Sequence, residues 1–121
     1  MSTKQIHIPT SLLRFGMARV DVTPPVGIYH RLWGAARHDR ASGVHRPIFA
    51  DVMAFAPLGG RGPSVVRAQL DLAGLAQSQY EEVAQALSKA AGLPRQHILI
   101  TSSHTHSSGW FNPDRIPLPG G

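Results

Sequence analysis

Two histidines separated by one residue are the feature of this sequence with the clearest potential for chemistry. His104 and His106 lie within residues 101–108, where all the remaining residues carry a hydroxyl group. In an extended chain, residues i and i+2 point to the same face. Neutral imidazole is a common zinc ligand, so the two rings can share a metal ion or divide the roles of ligand and acid/base catalyst. The alternative is a polar surface loop with two solvated histidines.

Other side chains could complete a site built on these histidines. Asp71 follows a predicted strand and could accept a proton from a ligating imidazole or position a zinc-bound water, with a turn cap as its alternative role. His45 could reach the site from a long loop, where a lone histidine is otherwise solvated, and Arg46 could pair with a substrate carbonyl or anion. Ser108 and Trp110 are candidates for substrate contacts, with buried packing as the alternative for the tryptophan.

The composition limits which metal ligands and partners are available. The chain has 121 residues and no cysteine, so a metal would use His, carboxylate, Tyr or water ligands. The net charge is +5, yet no basic helix or aromatic series accompanies the arginines, so nucleic acid is not expected as a partner. An anionic or polar substrate explains the charge equally well.

Hydropathy gives an expectation for location. No apolar run approaches the roughly 18 residues that a membrane span requires, so no transmembrane segment is predicted. The start of the sequence lacks the apolar stretch of a secretory signal, which favours a cytoplasmic location. The sequence carries no signal for one oligomeric state.

Periodicity and turn residues predict an α/β fold with a mixed sheet. Residues 64–70 and 97–101 are predicted strands, and residues 78–91 place apolar side chains at helical spacing. Two further strands are predicted at residues 15–22 and 48–55. The order strand, helix, strand makes a βαβ unit, whose two strands run parallel.

Short signals mark the ends of the predicted helix. Ser78, with Glu81 three residues later, matches a capping box at the start. Gly92 can adopt the left-handed conformation that ends a helix. The helix is therefore the best-defined element of the sequence.

Turn and loop signals follow the first predicted strand. Two prolines at residues 24–25 must leave any ladder, and Asp21 or Thr23 is expected to bond the amides of this turn. Residues 27–46 have no clear period and are rich in Gly, Arg and His, which predicts a long loop. Long loops inside compact domains are usually functional.

The βαβ unit is expected to bring candidate site residues to one edge. In such units the loops after the strands lie together, and ligands bind there. Asp71 leaves the first strand at this edge, and His104 follows the second. Adjacent strands would place the two ends about 4.8 Å apart, whereas an intervening strand would separate them by about 10 Å.

The end of the sequence predicts an incomplete domain. Residues 110–121 are rich in Pro and Gly and contain no predicted element. A sheet ending on the strand at 97–101 would leave an apolar edge uncovered. We therefore expect the chain to be an incomplete part of a larger catalytic domain.

Four motifs in order carry a family resemblance: GMARVDVTPPVG, GVHRPIFADVMAF, VVRAQLDLAGL and ILITSSHTHSSG. Residues 15–109 resemble the N-terminal part of the neutral/alkaline non-lysosomal ceramidase family. The resemblance implies a zinc-dependent amidase that cleaves the N-acyl bond of a ceramide-like lipid by metal-activated water. It also implies that His104 is a zinc ligand and that His106 lies beside the metal and contacts substrate. Residues 1–14 would then be an N-terminal extension, and residues 15–121 a fragment of the zinc hydrolase domain.

The resemblance leaves part of the family's site unmatched. The family's remaining ligands, a His, a Glu and a Tyr, lie further along its chain, so this fragment is expected to bind zinc weakly and to be inactive alone. The family's Gly-Pro after the histidine motif is replaced here by Ser108, Gly109 and Trp110, which favours a smaller amide or ester as much as a lipid. The alternatives are a non-catalytic homologue acting as a binding module and a basic nucleic-acid-binding domain.

Overall fold

One four-stranded mixed sheet and one helix account for the regular structure of the chain. The structure, a computed structural model, describes residues 8–31, 34, 36–109, 113 and 116–117. In chain order, the described elements are β1 (Leu13–Asp21), β2 (Phe49–Pro57), β3 (Val65–Leu70), α1 (Gln77–Ala91), a 3-10 turn (Arg95–His97) and β4 (Ile98–Ser102). The strands lie in the order β1-β2-β3-β4. The predicted α/β class with a mixed sheet is therefore confirmed, with strand and helix bounds that differ by one or two residues from those expected.

The pairing of β3 with β4 is the part of the sheet that matters most for the site. β1, β2 and β3 pair antiparallel, whereas β3 and β4 are parallel neighbours with α1 between them in sequence. Their register runs from Val66 opposite Ile98 to Leu70 opposite Ser102. The strands of the predicted βαβ unit are thus adjacent, which is the closer of the two arrangements considered above.

The helix begins differently from the sequence prediction. Its N-cap is Ala76, so the capping box expected at Ser78 and Glu81 is wrong. Alanine has no side-chain acceptor, and the side-chain oxygen of Gln79 instead accepts a hydrogen bond from the Ala76 N–H at 3.2 Å. The end of the helix is as expected, because Gly92 adopts φ of 63° and its N–H bonds to the last turn. No described helix meets the length and apolarity needed to span a bilayer.

The hydrophobic core lies between α1 and the β3–β4 half of the sheet. Val66, Ala84 and Ile98 are buried there. Half-buried apolar side chains surround them, from β2, from α1 and the segment that follows it, and from β4. Side chains alternate between the faces of a strand. The other face of the sheet, called here the open face, exposes Phe15 and Leu99 by 57% and 50%. Every residue of β1 is exposed, so burial decreases from β3 through β2 to β1.

Residues 27–46, expected to be a loop without regular structure, contain a short antiparallel pairing. The backbone N–H groups of Gly27, His30 and Ala41 bond to Ala41, Asp39 and Ile28 carbonyls at 2.7–3.0 Å. We call this pairing of residues 27–30 with residues 39–41 the 27–41 ladder. A four-residue pairing built on Gly, His and Arg residues has no apolar alternation, which explains why periodicity missed it.

Candidate functional site

The parallel strands extend beyond their last residues and place two candidate site residues on one rim. The Ser103 and His104 N–H groups bond to the Leu70 and Leu72 carbonyls, both at 3.0 Å. On the other side of β3, the Asp71 N–H bonds to the Phe49 carbonyl at 3.0 Å. Asp71 and His104 are therefore fixed through their backbones at the carboxyl edge of the sheet, as the βαβ reading predicts.

The side chain of His104 has one ring nitrogen in use. Its Nδ1 lies 2.7 Å from the carbonyl oxygen of Ala73, a buried residue that follows β3. A carbonyl oxygen can only accept, so Nδ1 carries the hydrogen and, in the neutral ring, Nε2 carries the lone pair. Metal-ligating histidines commonly bond a carbonyl or carboxylate in this way, because it fixes the tautomer and the ring orientation.

The two histidines of the motif meet, although not for the reason expected. Extended backbone was predicted to place both rings on one face, whereas His104 adopts a left-handed φ of 57° and residues 106–107 form a turn. The turn nevertheless brings the ring centroids within 5.1 Å at an interplanar angle of 75°. Two imidazoles on one tetrahedral zinc would have centroids about 5 Å apart, given Zn–N bonds of about 2.0–2.1 Å. The centroid spacing therefore fits both uses of the pair considered above, as two ligands of one ion or as one ligand with an acid/base catalyst beside it.

A cavity of about 1070 Å³ opens beside this loop. Its volume is at the upper end of the roughly 300–1,000 Å³ typical of small-molecule sites. His104 is not among its lining residues, and Trp110 lies outside the described residues. The other five predicted site residues all line this one cavity: His45, Arg46, Asp71, His106 and Ser108.

The side chains of Asp71 and Ser108 combine structural roles with their place in the cavity. The Oδ2 atom of Asp71 accepts a hydrogen bond from the Phe49 N–H at 3.3 Å, so it bonds the start of β2 rather than the local turn considered as its alternative. Ser108 is 3% exposed, and its hydroxyl lies 3.4 Å from the carbonyls of Thr105 and Gly109. The Ser108 hydroxyl is therefore engaged within its own loop, whereas His45 and Arg46 are exposed at the cavity and accessible to a ligand.

Arg19 is a lining residue that sequence reasoning missed. Its guanidinium donates two hydrogen bonds to Asp51, at 2.7 and 2.8 Å, and lies over the ring of Phe49. These hydrogen bonds raise the pKa of Arg19 and lower that of Asp51, and the Asp71 carboxylate adds a small contribution to the rise. Arg19 and Asp51 are opposite each other in the β1–β2 register, a pairing visible only once that register is known.

A second pair of histidines, also missed, lies on the opposite wall of the cavity. His30 Nε2 is 2.8 Å from the Ser107 carbonyl oxygen, and His30 Nδ1 is 3.2 Å from His38 Nε2. The two ring planes are nearly parallel, at an angle of 22°, with centroids 5.3 Å apart. Both residues lie in the segment read as a long loop, where a spacing of eight residues has no signal of its own.

The donor set fits part of a zinc site. Across the described ranges, no group of three or more His, Asp or Glu side chains is arranged to hold a metal ion. The two imidazoles of His104 and His106 are the chain's own contribution to such a site, and the fixed tautomer of His104 suits it for ligation. No protein-family model, curated protein or solved structure matches the chain.

Proposed function

We propose that this chain forms part of a zinc-dependent hydrolase of amide bonds, with ceramidase-like cleavage of an N-acyl bond as its reaction. One observation carries the proposal: the ring of His104 has its Nδ1–H committed to the Ala73 carbonyl and lies edge-on to the ring of His106, which lines a large cavity. An imidazole with one nitrogen anchored and the other available is the state in which histidine ligates zinc.

Each residue of the site has a defined task in this reaction. Zinc, when bound, supplies a water nucleophile near neutral pH and polarises the scissile carbonyl. His104 would hold the ion, and His106 would donate a hydrogen bond to the substrate oxygen or a proton to the leaving amine. Asp71 accepts the Phe49 N–H through one oxygen, which keeps its carboxylate at the cavity as a proton acceptor. Water and amide are converted to a carboxylic acid and an amine.

The rest of the cavity suits an acyl amide with a polar end. Val26, Ile28, Val44, Ile48 and Phe49 give it an apolar portion that can contact an acyl chain. His45 and Arg46 line the same cavity with exposed polar ends, where they can bind the carbonyl or a charged group of the substrate. An amide that joins an acyl chain to a polar amine combines both features.

Zinc titration of the chain tests the proposal at its metal. We expect weak one-to-one binding, because His104 with a second imidazole beside it is a partial ligand set, and we expect it to broaden or shift the imidazole signals of His104 and His106 in NMR spectra. His104→Ala should abolish the shift, whereas His97→Ala, which removes an imidazole preceding β4 at the other end of the strand, should preserve it. Zinc-dependent shifts centred elsewhere, or unchanged in the His104→Ala variant, would contradict the proposal.

A non-catalytic binding module is the second candidate. It is favoured by the lack of a third His, Asp or Glu ligand among the described residues, since an open catalytic zinc site usually has three protein ligands. In that case an N-acyl amide would bind in the cavity with equal affinity with and without zinc. Titration of the amide under both conditions, followed through the Arg46 and Ser108 signals, separates the two candidates.

A further inference from the structure

We propose that His30 is a positioning residue for the loop at residues 104–109 and that His38 fixes the tautomer in which His30 does so. The structural part of this inference stands on contacts within the chain. Its consequence for catalysis rests on the proposed function, because it concerns the orientation of His106.

The hydrogen-bonding pattern assigns a direction to the pair. The Ser107 carbonyl can only accept, so the Nε2 of His30, at 2.8 Å, must carry a hydrogen. In the neutral ring the Nδ1 of His30 is then an acceptor. The Nε2 of His38, at 3.2 Å, must therefore be the donor to it. The result is a chain of two hydrogen bonds, from His38 to His30 and from His30 to the backbone of the loop.

His30 is itself held by backbone structure. Its N–H bonds to the Asp39 carbonyl at 2.7 Å as part of the 27–41 ladder. His38 immediately precedes Asp39, so the ladder also brings His38 close to His30. The donor thus comes from a paired segment, and His30 lies 77 residues before Ser107 in sequence. A long-range bond of this kind restrains the loop against a separate part of the fold.

A second contact between the same two segments supports the assignment. Gly109 is buried with a φ of 82°, and a Cβ atom at this position would lie 3.2 Å from the Tyr29 carbonyl oxygen and 3.5 Å from the Cα of His30. Such an approach is closer than most Cβ contacts, so the loop packs directly on the backbone of the ladder. The loop is therefore held from the ladder side at Ser107 and at Gly109.

These contacts bear on the orientation of the His106 ring. At its start, the loop is fixed by the bond of His104 to Ala73, and at its end by the ladder. His106 lies between the two points and immediately precedes Ser107. Holding the Ser107 carbonyl restricts the peptide between residues 107 and 108, one residue beyond His106, and so limits the movement of a side chain that must meet a substrate in one geometry.

Three substitutions test the proposal. In His30→Leu the donor is lost, and we expect backbone amides of residues 104–109 to exchange with solvent about tenfold faster, the scale expected for loss of one or two hydrogen bonds. His30→Gln keeps an amide N–H within reach of the Ser107 carbonyl and should stay within about threefold of wild type. His97→Gln serves as the control, because it removes an imidazole that lies outside the cavity lining.

The readouts distinguish positioning from general loss of structure. NMR should show His30 as the Nε2–H tautomer, and amides of β3 and β4 should keep their wild-type exchange rates in His30→Leu. If that variant unfolds, Gly109→Ala tests the same contact from the loop side and should loosen residues 104–109 in the same way. Unchanged loop exchange in His30→Leu, or equal loosening in His30→Leu and His30→Gln, would overturn the proposal.

Zinc titration of the same variants separates this inference from the proposed function. We expect His30→Leu to weaken zinc binding about fivefold through the loosened loop, and His30→Gln to restore it. If the loop loosens but wild type binds no zinc at His104, the positioning role stands and the hydrolase proposal fails. If zinc binds at His104 while amide exchange in the loop is unchanged in His30→Leu, the hydrolase proposal stands and the positioning role fails.

Discussion

The two walls of the cavity are held in different ways. On one wall, Asp71 lines the cavity, and His104, which is not a lining residue, lies at the same edge of the sheet. Both extend a regular parallel ladder beside the buried core, and each is bonded through its backbone to a neighbouring strand or segment. The other wall, residues 22–48, is held by the 27–41 ladder and by single side-chain bonds such as that of Thr23 to the Ile48 N–H. Packing against the core stabilises the first wall, whereas individual polar contacts stabilise the second.

This difference identifies the contacts that fix the position of each histidine of the motif. His104 lies beside the wall that packing organises, and its ring is anchored to the buried residue Ala73. His106, two residues later, lies in a turn that the opposite wall restrains through His30. A disturbance of the core should therefore reach both histidines, while a disturbance of residues 22–48 should reach His106 more than the anchored ring of His104.

The largest effect should come from the core beneath the first wall. Ile98 is 2% exposed between β3 and α1, so Ile98→Ala should lower the free energy of unfolding by about 2–5 kcal/mol. Leu99→Ala, a change of similar size on the open face, should cost less than about 1 kcal/mol because that side chain is half exposed. Urea unfolding measures both, and similar values for the two variants would contradict the assignment of the core to the helix side.

A smaller effect is expected from the turn that begins the second wall. Thr23 accepts the Ile48 N–H through its hydroxyl at 2.9 Å, and its own N–H donates to the Asp21 carboxylate at 2.8 Å. Thr23→Val would leave the Ile48 N–H without this acceptor and should cost about 1–2 kcal/mol. Thr10→Val, at an exposed position before β1, is the matched control.

Hydrogen exchange in the Thr23→Val variant tests whether the two walls are held separately. Amides of residues 22–48 should exchange faster, while the Nδ1–H of His104 should stay as protected as in wild type. Loss of protection at His104 would show that the two walls are not separately held.

The smallest effect concerns the ion pair of Arg19 with Asp51, between β1 and β2. The pKa of Asp51 is lowered below its ordinary value of 3.8 by the hydrogen bonds from Arg19. The pair therefore stabilises the fold fully above that value, and the contribution is lost as the pH falls through the lower pKa of the folded state. Asp51→Asn should be less stable than wild type near neutral pH, and the difference should shrink as the pH falls below 3.8.

The free energy of unfolding of Asp51→Asn should be measured from neutral pH to acid, with Asp39→Asn as the control variant. The pair of Asp39 with Arg31 is exposed on both sides, so its removal should change stability less. A constant difference between Asp51→Asn and wild type down to about pH 2 would argue against stabilisation by the charged carboxylate.

The parts of the site that the sequence predicts are those fixed by periodic elements. Apolar spacing located the helix and strands, the βαβ order implied parallel strands, and these placed Asp71 and His104 on one rim. The expected turn bonds of Asp21 and Thr23 are confirmed for the same reason, since they are local in sequence. Five predicted site residues also line a single cavity.

The parts that escaped prediction depend on contacts between distant segments. His30 and His38 reach the loop only because the 27–41 ladder folds over it, and Arg19 meets Asp51 through a strand register that sequence alone leaves undetermined. The helix start was misplaced because Gln79 caps Ala76 without the Ser or Thr that the pattern requires. A ligand role for His104 and His106 is still a prediction.

The gradient of burial across the sheet has a consequence for access to the cavity. β1 has no buried residue and forms an edge of the sheet, so it is held by its backbone pairing with β2 and by the Arg19–Asp51 ion pair rather than by burial in the core. Arg19, carried by this strand, lines the cavity. Fraying of the least buried strand would therefore alter the cavity at Arg19 before it reached the rim at Asp71, which lies beside the core.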